Sequence, residues 1–297
     1  NGFTVVFLGQ MVGGAVQPLI LNAPPMVAAN WFPAEQRTIA TTICSVANPI
    51  GVAFGFVIPP TFAGTSLFEP RVELVLFVEA LICIVVAILV VVFFREQPPH
   101  PPSLSKSSAK IPIPLFTSLH TLFTDRNFVI LLIGGGCSLG AFNTMATLLN
   151  YIIEPYGYNN LQSGVIGAMV VFFGIVGSGV AGAIVDKTRL YKGVLIACFF
   201  LSFLFTALFI VFLQRDRFIE LTLMCSMFGF FMTPTLPLTL ELGCEITYPI
   251  NEATPSGLLV GGGQVIGILL ILVSGLLIDA GHVHAACWIV VGCILFA

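Results

Sequence analysis

Charge is what this chain has least of. Asp, Glu, Lys and Arg make up 8% of its 297 residues, against 57% hydrophobic residues. A soluble domain carries about 25% charged residues, so this chain cannot solvate a surface of its own. The formal net charge of −3 therefore carries no argument about nucleic acid. Clustered cysteine spacing is absent as well. The eight cysteines are scattered through apolar runs with no CxxC, which excludes a disulfide framework and a thiolate zinc site. They read as small apolar fillers of buried helix faces. There is no Walker loop, no Gly-x-Ser-x-Gly and no clustered nucleophile–base pair. No enzymatic activity, bound metal or cofactor is expected.

What the chain has is long apolar runs. A spanning helix needs roughly 20 mainly apolar residues. Such runs cover 2–30, 38–62, 74–94, 128–153, 164–185, 193–213, 218–240, 257–278 and 284–297, with mean hydropathy of +1.04 over the chain. The pattern predicts an all-α polytopic membrane protein. The sequence opens on Asn1 and stops at Ala297 inside apolar runs, so it reads as an internal piece of a longer protein.

The segments between the runs alternate in charge. Arg37, then Arg95, Lys106, Lys110 and Arg126, then Lys187, Arg189 and Lys192 fall on one side, and only Arg71, Arg215 and Arg217 on the other. The positive-inside rule assigns the first side to the cytoplasm. The connection 95–126 differs in kind, with Gln-Pro-Pro-His-Pro-Pro at 97–102 and a Ser-rich stretch behind it. Such composition favours an extended linker, and 97–112 is expected to be disordered. Apolar residues at helical spacing in 113–123 predict a helix in the interface. The expected organisation is a helical bundle over 1–94, a cytoplasmic linker over 95–126 and a second bundle over 127–297.

A pattern near the start recurs near the end. Aligning Phe32-Pro33 on Tyr248-Pro249 sets Pro25 on Glu241, Gln36 on Glu252, Asn48 on Gln264 and Gly51 on Gly267. In both copies an amide stands three residues before a glycine inside an apolar helix. Internal repeats mark secondary transporters, which handle their substrate at the repeat interface; two similar hairpins with no further meaning would look the same.

Polar residues at membrane depth are costly, so each is a candidate for function. The interior amides are Gln17, Asn22, Asn48, Asn143 and Gln264. Each can bind a polar solute without a fixed charge, or simply bond a neighbouring helix. Asn143 stands beside Phe142 and one turn after Gly140, and lies at a depth that Gln264 can match. Glu79 is the acid well inside an apolar run and a candidate proton-coupling group; the bland alternative is an acid near the outer interface. Glu241 and Glu245 close one run and, with Arg37, are candidate conformational residues. Pro234 and Pro237 interrupt an apolar run, which is tolerated where freed carbonyls meet protein or water. His282 and His284 fall in an outer loop and do not make a closed metal site.

Gly182-x-x-x-Asp186-Lys187-Thr188-Arg189 resembles the short cytoplasmic-loop motif of the major facilitator superfamily. There Gly182 would let a neighbour approach, and Asp186, Lys187 and Arg189 would set the balance between conformations. More specifically, the stretches 21–60, GAFNTMATLLNYI at 140–152 and LELGCEITYPINEATPSGLL with GQVIGI within 240–268 resemble the feline leukaemia virus subgroup C receptor-related transporters, solute carrier family 49.

The resemblance implies a twelve-helix fold in two six-helix bundles, of which this chain would hold the fourth to the truncated twelfth. It also implies transport of choline, ethanolamine, haem or a vitamin-like solute. In choline-type members an aromatic cage holds the ammonium group. Gln264 matches the family's site glutamine. Asn143 stands where those members have a tyrosine, and Pro49 where they have a second glutamine; both departures count against choline. Haem needs an axial His, Cys or Tyr, and no such residue stands out in the inward-facing helices.

The sequence thus predicts secondary-active or facilitative transport of a small organic solute by alternating access. Gln264, Asn143, Phe142 and Asn48 are its expected contacts. The expected surroundings are a lipid bilayer of the plasma membrane or an endomembrane such as the lysosome or vacuole. Neither nucleic acid nor an obligate protein partner is expected. The alternative is a non-transporting membrane receptor, sensor or inactive truncated product.

Overall fold

The computed structural model describes residues 2–21, 23, 27–28, 31–33, 37–63, 72–95, 115–248, 250 and 253–297. The expected linker disorder at 97–112 falls outside these residues, as do Asn22, Pro25, Gln36 and Glu252. All regular structure among the described residues is helical. The chain divides into two compact units, Asn1–Lys110 and Ile111–Ala297.

The first unit contains α1 (Gly2–Leu21), α2 (Arg37–Ala63) and α3 (Val72–Phe93). Its described side chains are nearly all exposed; Leu76–Phe93 of α3 is apolar enough to cross a membrane and has no buried residue.

The second unit holds the packed part of the molecule: α4 (Leu115–Thr124), α5 (Arg126–Ile153), α6 (Asn160–Thr188), α7 (Tyr191–Phe212), α8 (Phe218–Met232), α9 (Thr235–Ile246), α10 (Ala253–Asp279) and α11 (Val283–Phe296). The helix ends follow local chemistry. Helix α5 starts two residues before its apolar run because Asp125 accepts from Asn127 N–H at 2.8 Å. Helix α6 starts at Asn160 because Asn159 and Gln162 form a reciprocal capping box, at 2.8 and 2.9 Å.

The apolar run 218–240 is two helices. Pro234 has no N–H to donate and its ring disfavours a continuous helix, so α8 ends at Met232 and α9 begins at Thr235. Hydroxyls occupy the carbonyls near the break. Thr233 donates to Gly229 O at 2.8 Å, and Thr235 to Met232 O at 2.6 Å. The Thr235 proton being used, Ser138 of α5 donates to Thr235 Oγ1 at 2.7 Å. The Ser138–Thr235 bond thus satisfies buried hydroxyls between two helices.

Six stretches among the described residues are long and apolar enough to cross a membrane, and α11 is a shorter apolar helix. The main core joins α5, α7, α8 and α11 through Met145, Leu149, Phe209, Phe228 and Val290. A smaller cluster of Leu122, Phe128, Ile250 and Leu259 pins α4 to the start of α5 and to the turn between α9 and α10. The other side of α4 leaves Phe116 and Phe123 exposed, as an interfacial helix requires. At the opposite end, Tyr158 donates to Gln214 O at 2.7 Å and accepts from Arg217 N–H at 3.0 Å. One phenol thus ties the entrance of α6 to the loop between α7 and α8.

Candidate functional site

Helix α5 packs most extensively against α10, and α6 against α8. Small residues allow both crossings. On α5, a methyl at Gly136 would meet Gly262 and Gly263 backbone atoms at 3.5 Å, and one at Gly140 would lie 2.9 Å from Gly267 N. The matching order of these contacts means that α5 and α10 run in the same direction. Gly140 and Gly267 touch at one level. Asn143 stands one turn beyond that level on α5, and Gln264 one turn before it on α10.

Across this contact Asn143 Nδ2 donates to Gln264 Oε1 at 3.2 Å. Both residues are half-buried. The pair is uncharged. With Asn143 Oδ1 as an acceptor and Gln264 Nε2 as a donor, it offers a further partner one group of each kind. Such a pair can receive a hydroxyl, amine or carbonyl group, and each bond to it is desolvated and directional.

The other expected contacts are placed differently. Phe142 points away from this pair. It stacks on Phe228 of α8, with ring centroids 6.2 Å apart and planes at 21°, and packs on the main core. A step of one residue turns a helical side chain by about 100°, so adjacency in sequence put Phe142 on the neighbouring face. Asn48 lies exposed on α2 in the first unit. Gln17 is exposed on α1, and Glu79 is exposed on α3.

The charged candidates lie at helix ends. Glu241 and Glu245 are exposed on α9, and Lys187 and Arg189 are exposed where α6 ends. Arg189 adopts a left-handed conformation, φ 56° and ψ 21°, and its N–H bonds Val185 O at 2.7 Å, closing the helix. The side chains of Arg37 and Asp186 lie outside the described residues. Among the described residues nothing lies within 4 Å of a methyl placed on Gly182. The close approach among the described residues of α6 is made by Gly174 and Gly177, against Thr233 and the Phe230 carbonyl.

No cluster of metal-ligating side chains occurs among the described residues. His284 instead shares a hydrogen bond of 2.9 Å with Tyr156 OH, and His282 donates from Nδ1 to Ala280 O at 2.9 Å. All eight cysteines are free. Cys137, Cys198, Cys225 and Cys287 are buried, whereas Cys44 and Cys83 are exposed rather than buried fillers.

Two features were missed in the sequence: the Ser138–Thr235 bond, and Tyr158 as a double tie-point. The first had a signal in Pro234, which frees a carbonyl. The second had none at short range.

A bundle of apolar helices crossing on glycines, with one amide pair at the main crossing and a Pro-broken helix beside it, describes a membrane transporter scaffold. The chain belongs to the Major Facilitator Superfamily, whose family profile matches residues 1–270. A crystal structure of the E. coli fucose:proton symporter FucP has the same fold, with TM-score 0.64 and 16% identity over 94% of this chain and 71% of that one. Within the superfamily the chain is similar to the feline leukaemia virus subgroup C receptor-related, solute carrier family 49 branch. It is 33% identical over 309 residues to the choline/ethanolamine transporter flvcr2a of Danio rerio, covering 99% of this chain and 66% of that protein. It is 33% identical over 274 residues to solute carrier family 49 member A3 of Xenopus tropicalis, covering 92% and 56%. The chain thus spans between half and two thirds of the length of these relatives.

Proposed function

We propose that this protein takes part in moving a small organic solute across a membrane by alternating access, and that Asn143 and Gln264 contact the solute. The observation that carries this reading is the hydrogen bond between the two amides at the α5–α10 crossing. Two half-buried neutral amides whose side chains meet inside a membrane bundle form a recognition element that can exchange its internal bond for bonds to a solute. Superfamily membership and relatives named as choline/ethanolamine transporters support the solute class. Phe142 supports the wall of the site through its stack on Phe228. Asn48, on α2 of the first unit, is a further proposed solute contact on the strength of its place in the sequence repeat.

In this reading 1–94 and 127–297 are two bundles joined by a cytoplasmic connection over 95–126. The division of the fold at Lys110 and Ile111 supports a boundary within that connection. Asp186, Lys187, Arg189, Arg37, Glu241 and Glu245 bias the exchange between states from the helix ends, and Glu79 is the candidate for proton coupling.

The test is uptake of radiolabelled ethanolamine and choline, followed by a wider metabolite comparison, in cells expressing the full-length protein. Transport requires saturable accumulation that falls with Gln264→Ala at equal surface level. Binding without accumulation would support a receptor instead.

A further inference from the structure

The two glycines of the amide crossing are not equivalent. A methyl on Gly140 would lie 2.9 Å from Gly267 N and 3.2 Å from Gly267 Cα, both of them backbone atoms that cannot rotate away. A methyl on Gly267 would lie 3.4 Å from Gly140 Cα and 3.7 Å from Asn143 Nδ2, which is ordinary contact. At this level the interface thus tolerates a side chain from α10 and not from α5. Since Asn143 is one turn from Gly140 and Gln264 one turn from Gly267, any separation of the backbones is felt directly at the 3.2 Å amide bond.

We propose that Gly140 is a positioning residue for the Asn143–Gln264 pair: it holds α5 against α10 at the spacing that lets the two amides satisfy each other when no solute is bound. The role rests on the reading of that pair as the solute contact. Its consequence is a pair aligned by its own hydrogen bond at rest, with Asn143 Oδ1 and Gln264 Nε2 left to a solute. Heads bearing both a donor and an acceptor are therefore admitted in preference to heads bearing neither. Gly136 and Gly263 extend the contact further down the helices: Gly136 meets the movable tip of Ile266, whereas Gly263 meets Leu139 as far as its Cβ, at 2.9 Å.

The test first measures spacing without any solute. A Cβ on Gly267 would lie 3.8 Å from Asn143 Cβ, the separation a disulfide needs. In the full-length protein carrying Asn143→Cys and Gly267→Cys, membranes are oxidised and the disulfide-linked peptide pair is quantified by mass spectrometry. Adding Gly140→Ala lowers the cross-linking rate by about an order of magnitude or more, because disulfide geometry tolerates little added separation. Adding Gly261→Ala, where no described atom lies within 4 Å of the new methyl, leaves the rate as it was. Equal loss with both, or no loss with Gly140→Ala, overturns the proposal. Should Gly140→Ala fail to reach the membrane, Gly267→Val decides in its place. It pushes the same gap open from α10 and must raise the apparent KM of uptake, and an unchanged KM overturns the proposal.

Uptake of labelled ethanolamine and choline gives the second readout. Gly140→Ala raises the apparent KM about 5- to 150-fold, the cost of one desolvated hydrogen bond. Adding Asn143→Gln, whose extra methylene reaches across the widened gap, brings it most of the way back. A general packing defect would not be rescued in this way, so absence of rescue counts against positioning. If Gln264→Ala leaves uptake untouched while cross-linking follows the pattern above, the solute-contact reading fails and the positioning of the pair by Gly140 stands.

Discussion

The second unit contains two glycine crossings that use one device for different ends. Where α6 meets α8, Gly174, Gly177 and Gly229 admit Thr233 and the carbonyls of Phe230 and Val170, and the contact is backbone against backbone. Around it stand Phe205, Phe230 and Phe231. Where α5 meets α10, the approach is as close at Gly140 but leaves room at Gly267, and two amides bridge the crossing one turn to either side. The first crossing is backbone packed on backbone. The second adds an amide–amide bond, which we propose a solute takes over. Close packing is common to both, and the polar pair beside it is what distinguishes the second.

The largest effect separating the two crossings is expected at Gly177. Its methyl would run into the Phe230 carbonyl, so Gly177→Ala should destabilise the fold by about 3 kcal/mol or more. Surface expression and thermal melting in detergent check this, and the protein that does fold should keep its solute affinity. A fully stable Gly177→Ala variant would break the comparison.

Next comes Gln264→Ala. Losing one hydrogen bond in a desolvated site costs roughly 1–3 kcal/mol, a 5- to 150-fold loss of apparent affinity, while melting temperature and expression persist. Gln264→Glu adds a buried charge and should shift preference toward cationic solutes in competition uptake.

Smaller still is Tyr158→Phe, which removes the bonds to Gln214 O and Arg217 N–H. A loss of about 1–2 kcal/mol of stability is expected, with uptake KM unchanged, because the tie-point serves the α6–α8 side alone. A change in KM without a change in stability would blur the division.

The smallest effect belongs to Arg189→Gly at the end of α6. Relief of the left-handed backbone and the greater freedom of the unfolded glycine nearly cancel, so stability should stay within about 1 kcal/mol. If Arg189 also biases the conformational exchange, its loss appears in transport rate and not in affinity. Asp186→Asn is expected to act on the rate in the same way.

The spanning helices could be read from the sequence because lipid imposes one rule on every segment, and Pro234 announced its break by the missing N–H. The meeting of Asn143 and Gln264 was legible in part, as both are interior amides; their backbones stand two turns apart on parallel helices, and the long Gln264 side chain closes the difference. The facing of Phe142 was not. An almost uniformly apolar α5 gives no periodic signal to say which side meets α8 and which meets α10. Clustered glycines mark where helix backbones can approach, and Gly174 and Gly177 carry such a contact; Gly182, about two and one and a half turns later, touches no described residue.

The central claim, that Asn143 and Gln264 act as one solute-binding element, is tested most directly by a double-mutant cycle on solute uptake. Asn143→Ala, Gln264→Ala and the double variant are compared in the full-length protein at matched surface levels, with ethanolamine and choline as probes. The account predicts that each single substitution weakens apparent affinity and that the second adds little to the first, giving a coupling of about 1 kcal/mol or more. Single variants with wild-type uptake constants, or losses that simply add, would contradict it.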